Sequence, residues 1–150
     1  MKLLIGTMED YKLDSKGRLS IPTKWRERLG REFYMTVLKV HGYECLALYP
    51  EEKFNQMYEA MHGASENLNY DTVAAFTDYA EETVLDAQGR FTVNQRLKAK
   101  VGLSNETIVL FKGRGEFIEI WDSNIFKEIQ EAKQSNEGLF DLMDKQKGNE

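Results

Sequence analysis

The spacing of apolar residues divides this chain of 150 residues into short strands and short helices. An opening strand runs to Leu13 and ends in the turn Asp14-Ser15-Lys16-Gly17-Arg18. Leu19–Ile21 reads as a brief strand. Trp25 and Leu29, at i and i+4, place a helix over Thr23–Leu29, and Gly30 stops it. Tyr34–Val40 and Glu44–Tyr49 form a hairpin about His41-Gly42-Tyr43. From Pro50 onward, Phe54, Met57, Tyr58 and Met61 fall on one face of a further helix.

The series then recurs. Leu13-Asp14-Ser15-Lys16-Gly17-Arg18-Leu19-Ser20-Ile21 aligns with Leu85-Asp86-Ala87-Gln88-Gly89-Arg90-Phe91-Thr92-Val93 at an offset of 72. Leu, Asp, Gly and Arg are identical, and the last three positions stay apolar, hydroxyl and β-branched. The second series predicts a strand at Phe91–Val93, a helix at Gln95–Val101 stopped by Gly102, and a hairpin of Thr107–Phe111 with Phe117–Trp121 about Gly113-Arg114-Gly115. A closing helix carries Ile125, Ile129 and Ala132, with Ser123 as its expected N-cap. The match continues through Gly30/Gly102, Glu44/Glu116, Tyr49/Trp121 and Phe54/Phe126, and a colinear match over about 45 residues marks an internal duplication. Between the copies, Val73, Phe76 and Ala80 predict a helix over Asp71–Ala80.

A unit of about 45 residues rarely buries enough apolar surface to fold alone. The expected arrangement is therefore one pseudo-twofold domain over 1–132, mainly β with short helices (α+β). Its repeats span about 5–62 and 77–132, joined by a helical connector at about 63–80, and a frayed polar tail covers 133–150.

Composition narrows the functional classes. A hydrophobic fraction of 41% with 30% charged residues suits a packed core. The single Cys45 excludes a disulfide framework, and with His41 and His62 it supplies too few ligands for a zinc site. Cys45, Trp25 and Trp121 are expected in the core, and both histidines at the surface. No signal peptide and no membrane-length apolar run is present, so a cytoplasmic protein without a membrane partner is expected. No phosphate-cradling glycine motif occurs, so no cofactor and no small-molecule substrate is assigned. Glu81, Glu82 and Asp86 are the one candidate carboxylate cluster. No nucleophile or ordered acid–base pair accompanies them, and the chain is read as a non-enzyme.

A net charge of -5 and a pI of about 5.2 argue at first against nucleic acid. The distribution reverses that impression. Lys12–Arg31 holds seven basic residues against two acids, and Asp86–Lys100 four against one. The acid excess lies between them, with nine acids against one lysine over Glu44–Glu82.

Both basic blocks centre on the repeated turn. Asp14 and Asp86 suit Asx-turns, and Gly17 and Gly89 supply the positive φ such turns need. The turn has no conformational need for arginine. Arg18 and Arg90 either pair locally with the aspartates or project a planar fork that fits phosphate or the O6/N7 edge of guanine. Lys16 adds a cation to the first copy, and Gln88 replaces it in the second. The helix basics Lys24, Arg26, Arg28, Arg96, Lys98 and Lys100 are either a solvated face or phosphate contacts. Arg26 and Lys98 are taken with the turns as the candidate DNA-binding set.

The doubled Asp-x-x-Gly-Arg turn, followed each time by a basic helix, resembles the MraZ family of bacterial transcriptional regulators over about residues 3–130. The resemblance implies an AbrB-like β-barrel of the double-ψ or swapped-hairpin kind, built by two repeats in one chain. It implies binding to short G-rich direct repeats in double-stranded DNA upstream of the division and cell-wall gene cluster. It also implies a homo-oligomeric ring associated with the nucleoid. The family's Asp-x-x-x-Arg pattern falls on Asp14 with Arg18 and on Asp86 with Arg90. Gln88 and Asn94 depart from the first copy's Lys16 and Pro22. An AbrB-type antitoxin or transition-state regulator, and a protein-interaction scaffold without DNA specificity, are the alternatives.

Overall fold

The computed structural model describes residues 2–63 and 70–133. Residues 134–150 of the expected tail, the connector residues 64–69 and the side chain of His62 lie outside the described residues, while Lys133 belongs to the last helix. The elements run β1 (Leu4–Lys12), β2 (Arg18–Ser20), α1 (Thr23–Leu29), β3 (Glu32–Val40), β4 (Tyr43–Pro50), α2 (Glu51–Gly63) and α3 (Tyr70–Asp78). They continue with β5 (Glu81–Val84), β6 (Arg90–Thr92), α4 (Gln95–Val101), β7 (Ile108–Gly115), β8 (Ile118–Asp122) and a last helix, α5, over 123–133.

Strands from the two halves share one sheet. The larger sheet has the order β1-β7-β8-β4-β3-β5, and every pairing in it is antiparallel. β1 of the first half pairs with β7 of the second, and β4 with β8. Two further strands, β2 and β6, pair with each other as a two-stranded ribbon. A mainly β fold with short helices is thus observed, but the expected closed barrel is not. The ladder is open, with β1 and β5 at its edges. β2 and β6 lie outside that ladder, tied to the ends of β1 and β5 by Asp14 N–H on the Arg18 carbonyl and Asp86 N–H on the Arg90 carbonyl.

Both faces of the sheet are covered, which explains why β4 is an almost unbroken apolar run. On one face, Leu46 and Leu48 join Phe33, Phe111 and Ile120 in the main core. Trp25 and Leu29 of α1, Leu97 of α4, and Leu19 and Phe91 of the ribbon close over them. Phe91 meets Phe33 edge-to-face at 5.6 Å, and the Trp25 indole N–H donates to the Ile5 carbonyl at 3.2 Å. On the other face, Cys45 packs with Trp121, Phe126 and Ile129, while Ala47 and Tyr49 meet Phe54 of α2. Tyr34, Phe54 and Phe76 stack in sequence at 4.0 and 4.9 Å. Burial here raises the Tyr49 hydroxyl to a pKa of about 12 and pushes the Cys45 thiol up as well.

Local signals held in most places and misled in two. His41 and Gly42 both adopt positive φ in the tight turn between β3 and β4, and His41 is exposed. Gly113-Arg114-Gly115 was expected to be the equivalent turn. Instead β7 continues through it, and the turn falls at Gly115-Glu116, closed by Arg114 N–H on the Phe117 carbonyl at 2.8 Å. Gly113 serves close approach: a methyl there would stand 2.6 Å from the Leu4 carbonyl oxygen of β1. Ser123 is likewise not the cap of α5. Asp122 Oδ1 accepts from Asn124 N–H at 2.8 Å, because a carboxylate one residue earlier reaches the first free amides.

The ribbon's hold on the core can be tested at Phe91. Phe91→Ala removes a ring that is 2% exposed and is expected to cost about 3–5 kcal/mol, read as a shift in the urea unfolding midpoint.

Candidate nucleic-acid interface

The two Asp-x-x-Gly-Arg turns are built by the same bonds. Asp14 Oδ1 accepts from the backbone N–H of Lys16 and of Arg18, both at 2.9 Å. Asp86 Oδ1 accepts from Gln88 and Arg90 at the same distances. Gly17 N–H and Gly89 N–H each return to the aspartate carbonyl at 3.0 Å. Gly17 has φ 74 and Gly89 φ 76, a region where a side chain is strained.

Both arginines pair locally with their aspartates. Arg18 Nε donates to Asp14 Oδ2 at 2.7 Å, and Arg90 Nε to Asp86 Oδ2 at 2.8 Å. Local pairing is therefore real in both copies. The bond to the aspartate uses only Nε and leaves Nη1 and Nη2 for other partners. Among the described residues, no acceptor bonds Nη1 or Nη2 of Arg18. In the second copy Arg90 Nη2 donates to Gln88 Oε1 at 3.2 Å.

The ribbon brings the turns together. Its register sets Arg18 opposite Thr92 and Ser20 opposite Arg90. Leu19 and Phe91 point into the core, so Arg18, Ser20, Arg90 and Thr92 share the outer face. The two arginines are diagonal neighbours there, a separation of roughly 7–8 Å between backbones. Ser20 and Thr92 were not singled out from sequence. The signal was present, since both repeats keep a hydroxyl at that position.

Each turn also receives a cation from the other repeat. Val93 N–H donates to the Gly17 carbonyl and Ile21 N–H to the Gly89 carbonyl, both at 2.9 Å. Arg26 Nε donates to the Ile21 carbonyl at 2.8 Å, and its guanidinium lies where a Gly89 side chain would begin. Lys98 mirrors it: a methyl at Gly17 would stand 3.3 Å from the Lys98 ammonium. Lys16, Arg18 and Lys98 thus gather at the first turn, and Arg90, Gln88 and Arg26 at the second.

The other helix basics go elsewhere. Arg96 donates to the Asp78 carbonyl at 2.7 Å and lies over the Tyr79 ring at 4.4 Å. Lys100 pairs with Glu44 at 3.3 Å. Lys24 sits over Trp25 at 5.3 Å. Asn94, a departure from Pro22, caps α4 by accepting from Leu97 N–H at 2.8 Å. Among the described residues no group of three His, Cys, Asp or Glu side chains is placed to hold a metal, and no helix is long and apolar enough to cross a membrane.

Hydrogen bonds from the Arg18 backbone, the Arg18 side chain and the Lys16 backbone hold the Asp14 carboxyl below its ordinary value of 3.8, against some desolvation. The Arg90 and Gln88 bonds do the same for Asp86. A folded pKa below the unfolded one gives stability that is complete above the ordinary value and is lost as pH falls through the folded value. Comparing urea midpoints of the wild type and an Asp14→Asn/Asp86→Asn variant checks this. The gap is expected to be widest near neutral pH and to close on acidification below 3.8; a gap that widens in acid contradicts it.

The family model of the MraZ protein, described as antitoxin-like, matches this chain twice, over residues 4–79 and 75–146. A protein of Arthrobacter sp. (strain FB24) named transcriptional regulator MraZ is 34% identical over 137 residues, covering 89% of this chain and 92% of the relative. Relatives of the same name from Finegoldia magna and Mycolicibacterium smegmatis are each 33% identical, covering 88% and 89% of this chain and 94% and 91% of their own lengths. The doubled turn, the doubled family match and this level of identity together mean that the chain belongs to the MraZ family.

Proposed function

We propose that this chain is a sequence-specific DNA-binding transcriptional regulator; its relatives are named transcriptional regulators. The observation that carries the reading is the outer face of the β2–β6 ribbon, where Arg18 and Arg90 stand as diagonal neighbours. A two-stranded ribbon fits the major groove, and an arginine fork matches the O6 and N7 acceptors of guanine. Each repeat contributes one half of a single pseudo-twofold unit over 1–132.

In this reading Arg18 and Arg90 read guanine edges, and Gln88 faces the DNA beside Arg90. Lys16, Arg26 and Lys98 hold phosphates and set register. Asp14, Asp86, Gly17 and Gly89 keep the turns in shape. The targets are short G-rich direct repeats in the promoter of the protein's own division and cell-wall gene cluster. One protomer makes few contacts, so a homo-oligomeric ring presenting the same turns to successive repeats supplies the affinity through avidity. The protein then resides with the nucleoid in the cytoplasm, and its role is binding rather than catalysis.

Gel shifts on a G-repeat duplex and a scrambled one test the assignment. Arg18→Ala is expected to cost roughly 1–3 kcal/mol per reading site and to relax base preference. Undiminished discrimination by that variant sinks the readout role. Lys98→Ala is expected to weaken both duplexes alike and to lower the slope of log affinity against log salt by about one. Light scattering with footprinting upstream of the gene tests the ring, and an intact ring without sequence-specific protection favours the scaffold reading.

A further inference from the structure

The two turns share their backbone bonds and differ in one side chain that touches the arginine. Lys16 in the first copy makes no bond to Arg18 among the described residues, so Arg18 is tied at Nε alone. Gln88, at the equivalent position, accepts from Arg90 Nη2 at 3.2 Å while Asp86 holds Nε at 2.8 Å. Two ties on one planar group set its orientation, where a single tie leaves it free to swing.

A guanidinium can only donate, so the Gln88 atom facing it has to be the oxygen. That fixes the amide. To read adenine, Gln88 would have to offer Oε1 to the N6 amino group and Nε2 to N7 together. With Oε1 turned to Arg90, the outward atom is Nε2, another donor. The second turn therefore presents donors only: the remaining hydrogens of Arg90 Nη1 and Nη2, and the Gln88 amide. A donor-only array suits the paired acceptors of guanine and rejects the N6 amino group of adenine.

We propose that Gln88 is a positioning residue that fixes the Arg90 guanidinium for guanine, which makes the second turn the more discriminating of the two. This rests on the DNA-reading role of Arg90 proposed above. The first turn, with Lys16 and a less restrained Arg18, then contributes more charge and less selectivity.

Selection from a random duplex library by the full chain tests it, using wild type, Arg90→Ala, Gln88→Leu and Gln88→Glu, each checked for an unchanged urea midpoint. Arg90→Ala marks the base position that the second turn reads. Gln88→Leu is expected to lower guanine preference at that same position by about tenfold and to leave other positions alone. Gln88→Glu keeps the acceptor for Nη2, so it is expected to keep the preference while binding every duplex more weakly through its added negative charge. The inference is overturned if Gln88→Leu leaves the marked position unchanged or alters a neighbouring base instead, or if Arg90→Ala flattens no position. A wild type that selects no sequence removes the DNA reading itself, and the inference with it. A wild type that selects, with a marked position insensitive to Gln88, removes the inference alone.

Discussion

The fold depends on β2 and β6 having no partner but each other among the described residues. A three-residue strand carries too few hydrogen bonds to persist alone. Here its ladder is extended by Ile21 N–H on the Gly89 carbonyl and Val93 N–H on the Gly17 carbonyl, so each repeat completes the other's turn. Leu19 and Phe91 anchor the ribbon from beneath, and both are nearly inaccessible. The same exchange recurs in the larger sheet, where β1 needs β7 and β4 needs β8. Neither half can bury its apolar residues without the other half in place.

That exchange makes the site composite. A turn from one repeat carries an arginine paired with its aspartate, and the opposite helix supplies Arg26 or Lys98 against the glycine. The glycine answers two constraints together, a positive φ and the room for a long cation to lie across the backbone. Five cations (Lys16, Arg18, Arg26, Arg90, Lys98) surround two carboxylates that are already paired. A whole-chain charge of -5 therefore coexists with a local concentration of cations at the two turns.

Much of this was legible from the residues because it is local. The turns, the short helices and their glycine stops, and the hairpin at His41-Gly42 follow from spacing and conformational preference. The repeat singled out Arg18 and Arg90 without any structure. What was not legible depends on non-local contact. Gly113 looks like a turn residue, yet its cause is the backbone of Leu4, more than a hundred residues away. The basic residues of α4 look alike in sequence. Lys98 reaches a turn, while Arg96 and Lys100 are drawn off by Tyr79, the Asp78 carbonyl and Glu44. Barrel closure is implied by the resemblance, whereas the ladder is open with β1 and β5 at its edges. Ser20 and Thr92 were visible as a repeated hydroxyl, but only the register places them beside the arginines.

Joining two repeats in one chain has a consequence that two identical chains cannot share. In a symmetric dimer both turns must carry the same residue at every position. Here the copies are free to diverge, and the structure tolerates divergence wherever the exchanged bonds are backbone bonds. Asn94 replaces Pro22 and gains a cap. Glu119 stands where the first copy has Ala47, buried and held by Arg114 and the Trp121 indole. Gln88 replaces Lys16 and takes hold of Arg90. The aspartate, glycine and arginine do not vary between the copies, because each is part of the turn that the opposite repeat leans on. Within the turns, divergence falls on the side chain at Lys16 and Gln88, which changes what a turn presents without changing its backbone bonds.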